Sequence, residues 1–330
     1  MGVGTVAVAL VSLVSGCSDS DSDSPSSASA DVEVSKINMG AIEGADWAWL
    51  YVGVDSGIFK KNGLDVTIST PSPSTIPAAV MRGSLQASAQ VGTCERAHGE
   101  GVKVIDVGVA GIRDSHTLLA RKGIGSVKGL AGKTLIVPQG NSSPTARIKA
   151  ILKEQGVLDD VKLLPVAAAN SQVALFKSGQ GDAIWEPIDV IAKTQKLVSG
   201  SDIVLDSKEA GQELPNTGLC ISEAFLKKNP KTSKALIKSM VQSVQFLLKG
   251  SPDAMSSMEK QLKLTSDEAD LTLATLHDDL TSDPVVNDTL LTAQADQDSK
   301  SSGKKVTLEQ VRTAYDMAPA TQVAGDLGTG

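Results

Sequence analysis

The chain has 330 residues, which is enough for two ordinary domains or one large one. Its composition is that of a globular protein, with 41% hydrophobic, 21% charged and only 3% aromatic residues. The formal net charge of −7, and the lack of a basic stripe interleaved with aromatic residues, argue against nucleic acid as a partner.

The first seventeen residues differ from the rest of the chain. Val3–Val14 is an apolar run of signal-peptide length, too short for an ordinary transmembrane helix, and small residues follow it up to Cys17. This pattern resembles a bacterial lipobox, so we expect a signal peptide at residues 1–16 and a lipidated Cys17. No Lys or Arg precedes the apolar run, which leaves open a start codon further upstream. The polar tract Ser18–Ala30 cannot bury a core, so residues 17–35 are interpreted as a flexible tether.

From residue 36 to residue 205 the sequence predicts alternating strands and helices, which is typical of α/β proteins with largely parallel sheets. The predicted strands are Lys36–Met39, Leu64–Ser69, Leu85–Val91, Val104–Val109, Thr134–Val137, Val161–Leu164, Ala183–Trp185 and Ile203–Leu205. The predicted helices include Asp46–Phe59, 74–81, 141–155, Ser171–Ser178 and Ile188–Lys196. After a strand at Leu219–Ile221 the pattern is helical, and the tail from Ala318 is expected to be frayed.

One strand-to-helix junction, Lys133–Gly156, has the features of an anion site. Pro138 and Gly140 end the strand, and Asn141, Ser142 or Ser143 can cap the helix that follows. Free backbone N–H groups, hydroxyls and the positive end of the helix dipole would then face the same point. An ordinary capped turn is the alternative interpretation of this junction.

Four segments in order resemble the solute-binding proteins of ABC importers, in the branch that binds sulfonates, taurine, nitrate and thiamine precursors. They are GVDSGIFKKNGLDVTI, AAVMRGSLQASAQVG, SVKGLAGKTLIVPQGNSSPTARIKAIL and FKSGQGDAIWEPIDVIAK, and they follow a lipobox. The resemblance implies a two-lobed α/β periplasmic-binding fold with a two-stranded hinge and ligand held between the lobes. It places residues 36–111 and 217–330 in the first lobe and residues 112–216 in the second. Hinge closure would form the state that a permease recognises.

Ligands of open α/β sheets bind beyond the carboxyl ends of the strands, so the candidate site residues come from loops at those ends. Trp47 continues an apolar stripe and is expected in the core, whereas Trp49 lies off it and is expected to face the cleft. Trp185-Glu186-Pro187 matches a tryptophan–acid–proline element of the family. The candidate ligand-binding residues are Trp47, Trp49, Thr93, Cys94, Arg113, Asn141, Ser142, Ser143, Thr145, Trp185 and Glu186.

The expected charge of the ligand depends on which of these residues reach it. Arg113, and Arg96 as a second candidate, would pair with an anion, although either is compatible with an exposed surface arginine. Glu186 would repel an anion, and it would instead suit a ligand amine such as a taurine-like zwitterion offers. Three tryptophans near the cleft favour a ligand with an apolar body.

The remaining two cysteines, Cys94 and Cys220, are interpreted as buried free thiols, with a disulfide as the alternative. The histidines His98, His116 and His277 are isolated, without H-E-x-x-H spacing, and no G-x-S-x-G elbow is present.

The sequence thus predicts a non-enzymatic, lipid-anchored binding protein on the outer face of a bacterial cell membrane, monomeric and without cofactor or metal. Its expected partners are a small organic anion or zwitterion, the permease, and the membrane through the lipid alone. Alternatives are a binder of a thiamine pyrimidine precursor, an enzyme of the same fold, or a ligand-sensing lipoprotein.

Overall fold

The computed structural model describes residues 1–2, 31–139, 142–211 and 213–329, without the side chain of Ser143. Within these ranges the strands are β1 (Lys36–Gly40), β2 (Asp65–Ser69), β3 (Ala87–Gln90), β4 (Val104–Gly111), β5 (His116–Ala120), β6 (Thr134–Val137), β7 (Lys162–Pro165), β8 (Ala183–Pro187), β9 (Asp202–Leu205) and β10 (Thr217–Ser222). The lipidation candidate Cys17 and the ligand candidate Asn141 lie outside the described residues.

The strands form two five-stranded mixed sheets. The first has the order β2-β1-β3-β10-β4, in which β1 runs parallel to β2 and β3 while β10 is antiparallel to β3 and β4. The second has the order β7-β6-β8-β5-β9, in which β6 runs parallel to β7 and β8 while β5 is antiparallel to β8 and β9. This arrangement confirms the predicted α/β fold class with two sheets.

Helices cover these sheets, and short 3-10 turns occur at Ala45–Trp47, Pro73–Thr75, Val127–Leu130 and Leu158–Asp160. The helices are α1 (Ala48–Asp55), α2 (Ile58–Lys61), α3 (Ile76–Met81), α4 (Val91–Gly99), α5 (Ser143–Glu154), α6 (Ala169–Lys177), α7 (Ile188–Leu197), α8 (Ser207–Ala210), α9 (Glu223–Lys228), α10 (Pro230–Leu248), α11 (Pro252–Leu262), α12 (Ser266–Asp279), α13 (Asp288–Ser302), α14 (Leu308–Arg312) and α15 (Ala318–Leu327). In the described part of the chain, none of them is both long and apolar enough to cross a bilayer.

Three predicted elements differ from the observed ones. The helix expected at Asp46–Phe59 is divided into a 3-10 turn, α1 and α2, with Gly57 in the left-handed conformation between the two helices. The tail from Ala318, expected to be frayed, is the helix α15, which packs on α10 through the buried residues Ala320 and Val323. The strand expected at Leu85–Val91 ends at Gln90, because Val91 already begins α4. The residues expected in a turn after that strand, Thr93 and Cys94, are therefore in the first turns of a helix.

The chain crosses between the sheets through two adjacent segments. After β4 it leaves the first sheet at Gly111, and it returns at Thr217, which pairs with Gly111. The segments are tied together beyond this pair, since the Leu214 amide donates to the Ile112 carbonyl over 2.9 Å. A Cβ on Gly111 would lie 2.5 Å from the Thr217 hydroxyl oxygen, so glycine is required for the two segments to approach this closely.

Cys94 and Cys220 form a disulfide, which corrects the expectation of free thiols. Both residues are fully buried, and the bond ties α4 to the interior strand β10 across a sequence separation of 126 residues. The pairing depends on the insertion of β10 between β3 and β4, beneath α4. Sequence spacing alone carries no information about that insertion.

Candidate functional site

A cavity of about 330 Å³ opens between the two sheets. Its walls come from the loop after β1, the start of α4, the segments that connect the sheets, and α13. The lining residues are Ile42, Glu43, Gly44, Ala45, Asp46, Trp47, Gln90, Gly92, Thr93, Arg96, Asp114, His116, Pro144, Pro187, Leu214, Pro215, Asn216, Gln294 and Gln297.

One wall is the N-terminal turn of α4. Gly92 and Thr93 line the cavity there, and Arg96 follows one turn later with 54% of its side chain exposed. The first backbone N–H groups of a helix have no intrahelical acceptor and carry its positive dipole end, so this turn suits an oxyanion. Arg96 is not wholly free to bind one, because its Nη1 lies 4.0 Å from an Asp298 carboxylate oxygen.

The loop after β1 contributes the buried residue Asp46, which is 6% exposed and lines the cavity. Its Oδ1 accepts a hydrogen bond from the Ser115 amide over 3.0 Å. Burial raises the pKa of Asp46 to about 6, and the charge of Asp114 adds to the rise, whereas Ser115 and His116 oppose it. Asp46 was not among the candidate ligand-binding residues, because in the sequence it appears only as the first residue of a predicted helix.

Asp114 lies near Asp46, and its carboxylate pairs with two cationic side chains of the protein. Its carboxylate pairs with the ring Nδ1 of His116, and Arg147 Nη2 lies 3.7 Å from the same carboxylate and donates to the Asp114 carbonyl over 3.0 Å. Burial would raise the pKa of Asp114, but His116 and Arg147 outweigh burial and hold it well below its usual range. Burial alone would lower the pKa of His116, and Asp114 reverses this into a net rise. His116 is thus not isolated, as the sequence suggested, but stabilised as an imidazolium ion.

The tryptophans exchange their expected places. Trp47 lines the cavity, with its indole N–H donating to the Ala89 carbonyl over 3.1 Å. Trp49 is fully buried in the core and donates to the Thr217 hydroxyl over 3.3 Å. The reason is local, because a 3-10 turn over Ala45–Trp47 precedes α1 and shifts the helical phase.

Trp185 supports the cavity from behind. It is fully buried and its indole N–H donates to the Pro144 carbonyl over 3.0 Å. The Arg147 guanidinium lies over its ring at 5.3 Å, and the centroid of the His116 ring lies 5.7 Å from it. Trp185 thus packs against both cations that pair with Asp114, and it is not among the lining residues.

The hydroxyls of the Lys133–Gly156 junction stabilise the helix. Ser142 is the N-cap of α5, where its Oγ accepts from the Thr145 amide over 3.4 Å and donates to the Thr145 hydroxyl over 3.0 Å. Thr145 is fully buried and in turn donates to the Pro138 carbonyl over 3.0 Å. Among the described side chains of this junction, Pro144 is the one that lines the cavity. The capped-turn interpretation therefore describes Ser142 and Thr145 correctly.

Three further candidates lie away from the cavity. Arg113 donates to the Asp278 carbonyl and pairs with Glu213 near the crossing between the sheets. Glu186 is 4% exposed, and burial raises its pKa to about 7 although His116 opposes this. Cys94 is buried in the disulfide. The structure places none of the three among the residues that line the cavity, so their contact with ligand remains a prediction.

The described residues include one close group of three metal-ligating side chains, formed by Cys94, Cys220 and Asp106, whose ligand atoms lie within 4.8 Å of one another. The disulfide engages both sulfurs, and a metal requires thiolates. In its oxidised form this group therefore does not fit a metal ion.

The family model described as "NMT1/THI5 like" matches residues 45–254, which include most of both sheets and much of the cavity wall. The chain belongs to the NMT1/THI5-like family. No curated protein matches this family member in sequence.

Solved structures share the fold of this NMT1/THI5-like chain. The alkanesulfonate-binding protein SsuA from Xanthomonas axonopodis pv. citri, bound to MOPS, has 16% identity and a TM-score of 0.68 over 87% of this chain and 99% of its own. The periplasmic nitrate-binding protein NrtA from Synechocystis PCC 6803 has 11% identity and a TM-score of 0.68 over 91% and 90%. The desulfurization enzyme DszB has 12% identity and a TM-score of 0.62 over 88% and 99%. The fold thus occurs in both binding proteins and an enzyme.

Proposed function

We propose that this protein is the extracytoplasmic solute-binding component of an ABC importer and that it captures a small organic anion or zwitterion in the cavity between its sheets. The observation that carries the proposal is the cavity itself, which is lined from both sheets and bounded by the two segments that connect them. Family membership supports it, since similar folds bind MOPS in SsuA and nitrate in NrtA.

In this proposal the start of α4 receives the oxyanion of the ligand, through the free N–H groups near Gly92, the Thr93 hydroxyl and Arg96. Trp47 contacts an apolar part of the ligand. Residues 36–111 with 217–330 and residues 112–216 act as two lobes that close around the segments near Ile112 and Leu214. The closed form is the one that permease subunits would recognise.

We also propose that the protein is a monomer anchored through lipid on Cys17, with residues 17–35 as the tether. Cys17→Ala would then release it from the membrane fraction of expressing cells. Retention of the variant in that fraction would contradict lipid anchoring without affecting the proposal about the cavity.

The test of the main proposal is a thermal-shift and calorimetric screen of the full chain against alkane and aryl sulfonates, taurine, aromatic carboxylates, nitrate and thiamine pyrimidines. A ligand that binds only the folded state raises the melting temperature by mass action. We expect at least one compound to bind at micromolar concentration and Thr93→Val to weaken it. A complete lack of binding at 10 mM across this panel would count against solute binding.

Enzymatic activity is the second candidate, because His116 and Asp114 form a His–Asp pair at the cavity and DszB shares the fold. A deprotonated histidine in such a pair can act as a general base, but nucleophilic catalysis also needs a nucleophile beside it. Among the described lining residues, the hydroxyl of Thr93 is the one alcohol and no thiol is present. Mass spectrometry of each bound compound after overnight incubation distinguishes the two functions, since turnover would refute pure binding.

A further inference from the structure

We propose that the ligand carries a protonated nitrogen and that Asp46 is the residue that selects it. This inference rests on the proposed solute-binding function and narrows its ligand class to ammonium-bearing molecules, as opposed to bare oxyanions.

The first step is the pairing of charges around the cavity. The cationic lining residues in the described part of the chain are Arg96 and His116, and each has a carboxylate of the protein beside it. Arg96 Nη1 lies 4.0 Å from Asp298, and His116 is hydrogen-bonded to Asp114. A bare oxyanion would therefore compete with a carboxylate of the protein at each of these two cations.

The second step is the isolation of Asp46. Within the described ranges, no lysine, arginine or histidine nitrogen lies within 4.0 Å of the Asp46 carboxylate. The Ser115 amide donates a hydrogen bond to its Oδ1. The side chain is nevertheless more than nine-tenths buried and lines the cavity. A buried carboxylate without a cation is costly, and the charge of Asp114 nearby increases that cost. A cation supplied by the ligand would compensate for it.

The third step is the geometry of the walls. Asp46 belongs to the loop after β1, whereas Gly92 and Thr93 belong to the start of α4. One part of the cavity lining thus presents a carboxylate, and another part presents helix N–H groups. A molecule that carries both an ammonium group and an oxyanion can satisfy both parts at once, and charge-assisted hydrogen bonds to each group give specificity.

The test uses matched probe pairs that differ by the nitrogen alone. Taurine is compared with ethanesulfonate, and 4-aminobutyrate with butyrate, by calorimetry on the full chain at pH 7.5. We expect the amino member of at least one pair to bind ten-fold or more tightly than its partner. Equal or tighter binding of the nitrogen-free member in both pairs would overturn the inference and leave solute binding intact. No binding by any probe at 10 mM would overturn both.

Asp46→Asn then distinguishes recognition from a structural role, with Asp65→Asn as the matched control, because Asp65 is exposed on β2 and does not line the cavity. Asp46→Asn should weaken the amino probe at least ten-fold, leave the nitrogen-free probe within two-fold, and not lower the melting temperature of the free protein at pH 7.5. Asp65→Asn should change neither probe more than two-fold. If Asp46→Asn weakens both probes equally and lowers the melting temperature, Asp46 is structural and the inference is wrong.

Discussion

Breaking the disulfide between Cys94 and Cys220 should lower the free energy of unfolding. The size of the loss shows whether the two sheets unfold together or separately. A crosslink stabilises chiefly by lowering the entropy of the unfolded chain, and the effect grows with the closed loop. For the separation of 126 residues, this model gives about 5 kcal/mol at 25 °C if the whole chain unfolds as one unit.

The expected loss is smaller if the second sheet stays folded while the first unfolds. Residues 112–216 then behave as a rigid block whose ends are already adjacent, because the Leu214 amide is bonded to the Ile112 carbonyl. About 21 flexible residues remain in the loop, for which the same model gives about 3 kcal/mol. The difference between the two values is large enough to measure.

The assay is urea unfolding of three forms of the protein. They are the oxidised protein, the protein reduced with a phosphine, and the double variant Cys94→Ala/Cys220→Ala. Trp49 in the core of the first sheet and Trp185 in that of the second are separate fluorescence probes, isolated by Trp→Phe substitution at the other positions. An unfolding free energy unchanged within about 0.5 kcal/mol after reduction would refute this reasoning. Alkylation of both cysteines without a reductant would refute the disulfide itself.

Three further outcomes are expected, each checked by urea unfolding of the free protein. Ser142→Ala should cost about 1 kcal/mol, as Ser251→Ala should at the matched cap of α11, whereas weaker ligand binding with full stability would favour a direct ligand role for Ser142. Burial raises the pKa of Asp279 to about 7 from an ordinary 3.8, so its contribution to stability is complete below about pH 4 and is lost as the pH rises through about 7. Asp279→Asn should flatten that decline between pH 5 and pH 8, and an identical pH profile would contradict the assignment. Gly218→Ala should cost about 3 kcal/mol because the new Cβ would lie 2.1 Å from the Gly108 carbonyl oxygen, whereas Gly125→Ala, with open space around it, should be nearly neutral.

Periodicity is sufficient to predict the fold class, because most strands have an apolar pattern in the sequence and half of the ten described strands end at or directly before a glycine or proline. It fails at β5, where all five residues from His116 to Ala120 are buried between β8 and β9 and no alternation remains. It also fails at the polar helix α13, whose residues Gln294 and Gln297 line the cavity.

Prediction of the site is limited by contacts between distant segments. Thr93 and Trp47 both follow strands in the chain and both line the cavity, whereas the sequence pattern placed Trp47 in the core and Trp49 at the cleft. Asp46 and Asp114 meet only because the loop after β1 packs on the segment before β5. That contact spans the two sheets, so local sequence patterns do not contain it.

The position of β10 has a consequence for the order in which the protein folds. The strands of the second sheet come from the continuous segment 116–205, whereas the first sheet needs β10, which is made after all of them. Until residue 222 is available, β4 lacks the strand to which it pairs in the described structure. A chain that emerges from its N-terminus should therefore complete its middle part first. During that interval, β3 and β4 would each present an unpaired edge that is open to aggregation or to a chaperone.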